Sequence, residues 1–127
     1  MHRLVEPEQT QRVHCFDEQT GQAIWSYEYP CKYVGVGYAA GPRANVTVDG
    51  VKAYSLGAMG NLVCFDAASG DIAWQRDLNQ DYGIRMPIWG IAAAPLIYDD
   101  LVILHIGGSD GACIVALDKK SGEEEWR

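Results

Sequence analysis

The sequence predicts an all-β fold that repeats about every 50 residues, and three observations support this prediction. A motif of Asp, Gly four residues later and Trp eight residues later occurs three times. Short alternating runs of apolar and polar residues lie between the motifs, separated by tight-turn signals. No stretch shows the apolar periodicity of a helix. The motif residues are Asp17, Gly21, Trp25, Asp66, Gly70, Trp74, Asp118, Gly122 and Trp126.

Each motif position has a predicted structural task. The aspartate carboxylate accepts hydrogen bonds from backbone N–H groups two or three residues later, which closes an Asx-type turn. Thr20, Ser69 and Ser121 add a second local hydrogen bond. The glycine supplies the positive φ that completes the hairpin. Because three equivalent carboxylates occupy three equivalent turns, we predict that they are structural rather than catalytic or metal-binding.

The segments between the motifs predict two further strands in each complete repeat. In the middle repeat, strands at 45–48 and 51–56 flank Asp49-Gly50, which is a strong hairpin signal. In the last repeat, strands at 95–98 and 101–106 flank Asp99-Asp100. Each complete unit therefore has four short strands, an arrangement typical of a β-propeller blade.

The chain is predicted to hold about two and a half blades, whose strands are lettered A to D from the propeller axis outward. We divide it into an N-terminal extension at 1–12, strands C and D of a first blade at 13–29, a second blade with its preceding loop at 30–78, and a third blade with its preceding loop at 79–127, truncated in the last strand. A closed ring needs roughly four to eight blades. We therefore expect a fragment of a propeller of about eight blades, whose partners are other blades supplied by missing chain or by self-association.

Composition excludes several classes of protein. The 127 residues contain 10 Lys and Arg against 17 Asp and Glu, so the net charge of −7 argues against nucleic-acid binding. No apolar run approaches the length of a membrane span, and no signal peptide is visible. The four cysteines have neither zinc-site nor redox spacing and are expected to be buried free thiols, and His105 is expected near the core.

Residues 64–74, with the sequence CFDAASGDIAW, resemble the PQQ-like repeat of quinoprotein alcohol dehydrogenase-like propellers. The family pattern is Ala-x-Asp-x-x-Thr/Ser-Gly-x-x-x-Trp. Cys15 and Cys64 replace its alanine, whereas Ala116 keeps it. The resemblance implies that the three motif tryptophans dock between neighbouring blades, and that the full-length protein is periplasmic or exported.

The resembling family includes both enzymes and non-enzymes. Its dehydrogenases bind pyrroloquinoline quinone (PQQ) with calcium, whereas members similar to the outer-membrane assembly lipoprotein use their loops to bind proteins. No catalytic, cofactor-binding or metal-binding residue of the enzymes can be matched here, and no two cysteines are adjacent. We therefore expect a non-catalytic scaffold without a cofactor. The alternative is part of a PQQ-dependent alcohol or polyol dehydrogenase whose active-site residues lie outside this chain. A carbohydrate- or polymer-binding module is a third option.

Two long connections between blades are the candidate binding loops, at 29–44 and 79–92. Arg43 and Arg85 are suited to recognising a carboxylate or phosphate, and Tyr82 and Trp89 to stacking or anchoring a partner. The competing interpretation is structural. In it, Trp89 is a buried plug between blades, and Arg85 pairs with Asp81 or Asp77.

Overall fold

The computed structural model describes residues 8–37 and 41–127, which form three antiparallel sheets and one short helix. The first sheet contains β1 (Thr10–Phe16) and β2 (Ala23–Pro30). The second contains β3 (Thr47–Asp49), β4 (Lys52–Leu56), β5 (Asn61–Asp66) and β6 (Ile72–Asp77). The third contains β7 (Leu96–Tyr98), β8 (Leu101–His105), β9 (Ile114–Asp118) and β10 (Glu124–Trp126). The predicted all-β fold is confirmed, apart from helix α1 (Leu78–Tyr82).

Consecutive strands are neighbours in every sheet, so each four-stranded sheet is a simple meander. This is the blade topology of a β-propeller, and the chain is a propeller segment. Of the predicted N-terminal extension, residues 1–7 lie outside the described residues, whereas 10–12 belong to β1. Residues 38–40 of the first long loop also lie outside them.

The hairpin between β3 and β4 lies one residue later than the sequence predicted. Asp49 pairs with Lys52, so the two-residue loop is Gly50-Val51 rather than Asp49-Gly50. In the third sheet Tyr98 pairs with Leu101, and the loop is Asp99-Asp100 as predicted. The first loop position has a positive φ in both hairpins, 56° at Gly50 and 51° at Asp99. The turn therefore places the glycine where a positive φ is needed.

A β-bulge precedes the motif tryptophan in all three sheets. Cys15 pairs with Trp25 but Phe16 pairs with Ala23, so the strand carries one extra residue between the two pairs. The same shift recurs between β5 and β6 and between β9 and β10. A bulge bends its strand and redirects the next side chain. Here that side chain is the tryptophan.

Two apolar clusters fill the spaces between the sheets. One joins the second and third sheets and includes Leu62, Val102, Leu104 and Leu117, which are at most 1% exposed. The other joins the first and second sheets around Phe65. Strand β5 is buried on both faces because the second sheet, to which it belongs, lies between the first and the third.

Helix α1 follows β6 directly and was missed by the periodicity analysis. Asp77 caps it, since its carboxylate accepts a hydrogen bond from Gln80 N at 3.1 Å, and Gly83 ends it with φ 54°. Five residues are too few to display a helical stripe. Across the described ranges, no helix has the length and apolar character needed to cross a bilayer.

The antiparallel strands gather their connections at two ends of the segment. The turn end carries the A–B and C–D turns, including the three motif aspartates. The loop end carries the B–C turns, helix α1 and the long inter-blade loops.

Candidate functional site

The two long loops meet at the loop end. Gly37 N donates a 2.6 Å hydrogen bond to Ile88 O, which links the first loop to the second. Ile91 N donates to Ala58 O at 2.9 Å, which holds the second loop against the B–C turn of the second sheet. A rigid sheet therefore supports both loops through backbone bonds.

Large apolar side chains are exposed on these joined loops. Val34 is 58% exposed, Ile88 62% and Trp89 57%. The prediction that Trp89 is a buried plug is therefore wrong. Gly90 N donates to Pro87 O at 2.8 Å, and Gly90 has φ 71°, so Trp89 lies at the corner of a tight turn. We call Val34, Ile88 and Trp89 the loop-end apolar group.

The two candidate arginines have different surroundings. Arg43 is half-buried, donates a hydrogen bond to Gly41 O and has its guanidinium 5.3 Å from the ring centroid of Tyr33. Arg85 is exposed and makes no ion pair within the part of the chain that the structure describes.

The predicted pairing of Arg85 with Asp81 or Asp77 is wrong because both carboxylates have other partners. Asp81 pairs with Arg76 at 2.7 Å, and Asp77 caps helix α1. The Arg85 guanidinium is therefore available to a ligand.

Tyr82 does not reach the loop surface. It is 4% exposed, and its hydroxyl donates a 2.9 Å hydrogen bond to Glu124 Oε2 of the third sheet. The guanidinium groups of Arg76 and Arg127 lie 6.0 and 5.9 Å from its ring centroid. Burial, followed by the Glu124 hydrogen bond, raises the pKa of Tyr82 to about 12. Tyr82 thus joins two blades, and the prediction that it offers a stacking surface is wrong.

Charge is distributed unequally between the two ends. The turns of the turn end carry nine carboxylates and three lysines: Asp17, Glu18, Asp49, Asp66, Asp71, Asp99, Asp100, Asp118 and Glu123, with Lys52, Lys119 and Lys120. The connections of the loop end, including the cap of helix α1, carry Lys32, Arg43 and Arg85 against Asp77, Asp81 and Asp110. The loop end is therefore close to neutral on an acidic protein.

The motif aspartates are engaged in their own turns. Asp66 Oδ1 accepts from the backbone N–H groups of Ala68 and Ser69, both at 3.1 Å, and Asp17 and Asp118 make the equivalent bonds. The pKa of all three carboxyls is lowered, chiefly by the Thr20 hydroxyl at Asp17 and by the serine N–H at Asp66 and Asp118.

The indoles of Trp25 and Trp74 each lie against the following sheet. Trp25 Nε1 donates to Ala67 O at 2.9 Å, and Trp74 Nε1 donates to Lys119 O at 3.0 Å. Trp126 has the equivalent position on β10 and is 44% exposed.

The thiols and His105 depart in part from their predicted burial. All four cysteines are free, and Cys31 and Cys64 are buried, which raises the pKa of both thiols. Cys113 is exposed, against expectation, and Cys15 is half-buried. His105 is also exposed, because alternation along β8 turns it away from the second sheet.

The distribution of carboxylates decides whether the described residues could hold the calcium ion that accompanies PQQ. Calcium requires several carboxylate and carbonyl oxygens around one point. Within 8–37 and 41–127, no three His, Cys, Asp or Glu side chains come together as a metal site. The motif carboxylates lie on three separate turns, so they do not form one calcium site.

Two grooves lie between the first and second sheets. The larger, about 360 Å³, opens on the outer flank beside Tyr27, Asn61 and Arg76. The smaller, about 110 Å³, opens near the first long loop beside Gln11 and Pro42. Both are open, and neither gathers the predicted site residues.

A family profile described as "Outer membrane protein assembly factor BamB" matches residues 9–127. The chain belongs to this family. The predicted resemblance to PQQ-like propellers is therefore confirmed.

The similar proteins include both an alcohol dehydrogenase and a BamB protein. The chain is 29% identical over 123 residues to quinohemoprotein alcohol dehydrogenase from Comamonas testosteroni, covering 91% of this chain and 16% of that protein. The crystal structure of that enzyme superposes with a TM-score of 0.66 at 26% identity, covering 91% of this chain and 18% of the other. The crystal structure of BamB from Moraxella catarrhalis superposes with a TM-score of 0.58 at 28% identity, covering 91% and 29%. The chain thus spans less than a third of the length of each.

Proposed function

We propose that this chain is a non-catalytic part of a PQQ-like propeller that binds other proteins or ligands through its long inter-blade loops. The observation that carries the proposal is the pair of joined loops, which expose Val34, Ile88 and Trp89 on a rigid support. Exposed aromatic and aliphatic side chains of this kind commonly anchor protein interfaces. The propeller then supplies rigidity, and the loops supply recognition.

The two arginines of the long loops favour a particular partner chemistry. Arg43 and Arg85 lie in the same two loops as the loop-end apolar group, whereas the chain as a whole has a net charge of −7. An apolar segment flanked by carboxylates would complement this surface. The family description as an assembly factor supports a protein partner, and we propose a periplasmic or exported location for the full-length protein.

A second candidate function is part of a PQQ-dependent alcohol dehydrogenase. The 29% identity to the Comamonas testosteroni enzyme favours it. Because the described residues bring no three His, Cys, Asp or Glu side chains together, the calcium ligands and catalytic residues would have to come from outside this chain.

Site-specific photo-crosslinking tests the scaffold proposal. A photoreactive amino acid replaces Ile88 at the loop end or, as a control, Val51 at the turn end, which is 71% exposed. In cells that carry the native gene, we expect a discrete crosslinked protein from position 88 and none from position 51. The I88S/W89S double variant should compete less well for the isolated partner. Equal crosslinking at both positions would contradict the proposal.

An activity assay separates the two candidates. The protein is incubated with PQQ, calcium ions, an alcohol and an artificial electron acceptor. A scaffold shows neither turnover nor calcium-dependent cofactor absorbance. Calcium-dependent turnover that disappears on chelation would support the dehydrogenase instead.

A further inference from the structure

The larger groove between the first and second sheets, about 360 Å³ in volume, has the size of a small-molecule site. Such sites have volumes of roughly 300–1,000 Å³. Strand β2 forms one wall, and β5 and β6 form the other, so both walls belong to the described chain. The groove shares no lining residue with the loop-end apolar group, and the two surfaces are therefore distinct.

The wall on β2 is aromatic. Tyr27 and Tyr29 lie on the face of β2 that is turned to the second sheet, and their ring centroids are 5.7 Å apart. The ring of Phe65 lies edge-on to Tyr27, with the centroids 5.3 Å apart. The hydroxyl of Tyr29 donates a 2.5 Å hydrogen bond to Gln11 Oε1. Both tyrosine rings are therefore held in place before a ligand arrives.

The wall on the second sheet is polar. Asn61 pairs with Asp77, and Val63 pairs with Gln75, so each pair places two neighbouring side chains on one face. Val63 belongs to the apolar cluster around Phe65, which packs against the first sheet. The side chains of Asn61, Gln75 and Asp77 are therefore turned towards the two tyrosines.

These side chains have hydrogen-bonding capacity that the protein does not use. The hydroxyl of Tyr27 and the amides of Asn61 and Gln75 have no hydrogen-bond partner within 8–37 and 41–127. Asp77 caps helix α1 through Oδ1, which leaves Oδ2 for a further bond. An amide offers both donors and an acceptor, and a hydroxyl offers one of each kind. Four polar side chains thus surround the groove beside its aromatic wall.

The corresponding space between the second and third sheets contains a six-membered ring. In the motif alignment, Arg76 is the counterpart of Tyr27, two residues after the tryptophan. Arg127 is the counterpart of Gln75, one residue after the tryptophan. The guanidinium groups of both arginines lie about 6 Å from the ring centroid of Tyr82. The same position between two blades therefore accommodates a ring that carries a hydroxyl group.

We propose that the groove between the first and second sheets binds a neutral pyranose unit of an oligosaccharide. The C–H groups of the sugar pack on the wall formed by Tyr27 and Tyr29, because the negative face of an aromatic ring attracts hydrogens of partial positive charge. The sugar hydroxyls bond to Asn61, Gln75 and Asp77 on the opposite wall.

The charge around the groove favours a neutral ligand over an anionic one. Arg76 also lines the groove, but its guanidinium is bonded to Asp81 Oδ2 at 2.7 Å and to Gly122 O at 2.8 Å. The carboxylate of Asp77 has no cationic partner among the described residues, so it repels an anion.

The number of free polar groups favours a sugar over an aromatic side chain of a protein partner. A tyrosine side chain would fill the space as Tyr82 fills its counterpart, but it carries one hydroxyl. A pyranose carries several hydroxyls around its ring, which matches the four polar side chains at the groove.

Calorimetric titration of the full-length protein tests the proposal. The probes are maltotetraose, cellotetraose and chitotetraose, together with N-acetyltyrosinamide as a model of a protein side chain. Asn61→Ala and Gln75→Ala each remove an amide that bonds to no described residue, so both variants should fold. Gln19→Ala removes an exposed amide at the turn end and is the matched control. Circular dichroism identifies any variant that does not fold, and Tyr27→Phe, which keeps the ring, then takes its place.

We expect the wild type to bind at least one tetrasaccharide with a Kd of about 1 mM or lower. Each amide variant should weaken this binding about tenfold, and Tyr27→Phe about threefold, whereas Gln19→Ala should bind like the wild type. Failure to bind all three tetrasaccharides would overturn the proposal, and so would wild-type affinity in a folded groove variant. Binding of N-acetyltyrosinamide alone would also overturn it, in favour of a protein side chain. Crosslinking from position 88 is independent of these outcomes, because Ile88 does not line the groove.

Discussion

Trp74 covers Gly122 so closely that a Cβ atom at residue 122 would lie 2.6 Å from its ring. The two residues belong to neighbouring sheets, and the indole N–H of Trp74 also bonds to a carbonyl of the same turn. The motif glycine therefore meets two requirements, since it adopts φ 74° and leaves room for the ring. The repeated motif thus contains both sides of a contact between blades.

Replacing Trp74 by alanine should destabilise the protein strongly. The change removes a large packed ring and its hydrogen bond to Lys119 O, so we expect a loss of about 3–5 kcal/mol in the free energy of unfolding. Trp126→Ala is the matched control and should lose less than about 1 kcal/mol at concentrations where the protein is monomeric, because Trp126 is 44% exposed. Urea denaturation measures both. Similar losses for the two variants would refute the docking role of Trp74.

Gly70→Ala and Gly21→Ala should differ although both residues have a positive φ. The Cβ of an alanine at residue 21 would meet nothing within 4 Å. Gly21→Ala should therefore lower the free energy of unfolding only by the cost of its positive φ, about 1 kcal/mol. The alanine at 70 also clashes with Trp25, and we expect about 2–4 kcal/mol. When Trp25 is also replaced by alanine, Gly70→Ala should cost no more stability than Gly21→Ala. Thermal unfolding of the two glycine variants, each with and without Trp25→Ala, measures this difference. An unchanged difference would show that the ring is not its cause.

The two A–B hairpins should respond in opposite directions to a change at the first loop position. Asp99 adopts φ 51°, so Asp99→Gly should raise the free energy of unfolding by about 0.5 kcal/mol. Gly50 adopts φ 56°, so Gly50→Ala should lower it by about 1 kcal/mol. Chemical denaturation measures both changes. If Asp99→Gly instead destabilises the protein, interactions of the aspartate side chain stabilise the fold by more than its positive φ destabilises it.

Stability should fall at acid pH through the motif turns. The pKa of Asp17, Asp66 and Asp118 is held below the ordinary value of 3.8 in the folded protein. A carboxyl with a lowered folded pKa stabilises the protein above its unfolded pKa, and this contribution is lost as the pH falls through the folded pKa. Replacing all three by asparagine should therefore flatten the dependence of Tm on pH below about 4. A triple variant with the wild-type slope would assign the acid sensitivity to other groups.

Local patterns were sufficient to predict the strands and the turns. Asp66 and Gly70 define a turn by chemistry within a few residues, and the alternation in 51–56 marks a strand before any tertiary contact is considered. The one-residue shift at Gly50-Val51 arose because the dipeptide signal does not specify which loop position takes the positive φ. The energetic role of the motif tryptophans stays a prediction.

The environment of the loop residues could not be inferred in the same way. Tyr82 is buried because a single helical turn, capped by Asp77 and Gly83, directs it towards Glu124 of another sheet. The two capping residues were the available signal for that turn. Trp89 is exposed because a turn at Pro87–Gly90 carries it outward, and a tryptophan beside a glycine fits either environment equally well.

The separation of charge between the two ends gives the molecule a permanent electric dipole along the propeller axis. The nine carboxylates of the turn end outnumber its three lysines and repel an anionic molecule, whereas the basic and acidic side chains of the loop end balance each other. A negatively charged partner diffusing from solution is thus oriented before it touches the surface, which accelerates productive encounters at low ionic strength. Physiological salt shortens the range of this steering to about 8 Å, so the orientation then acts only during the final approach.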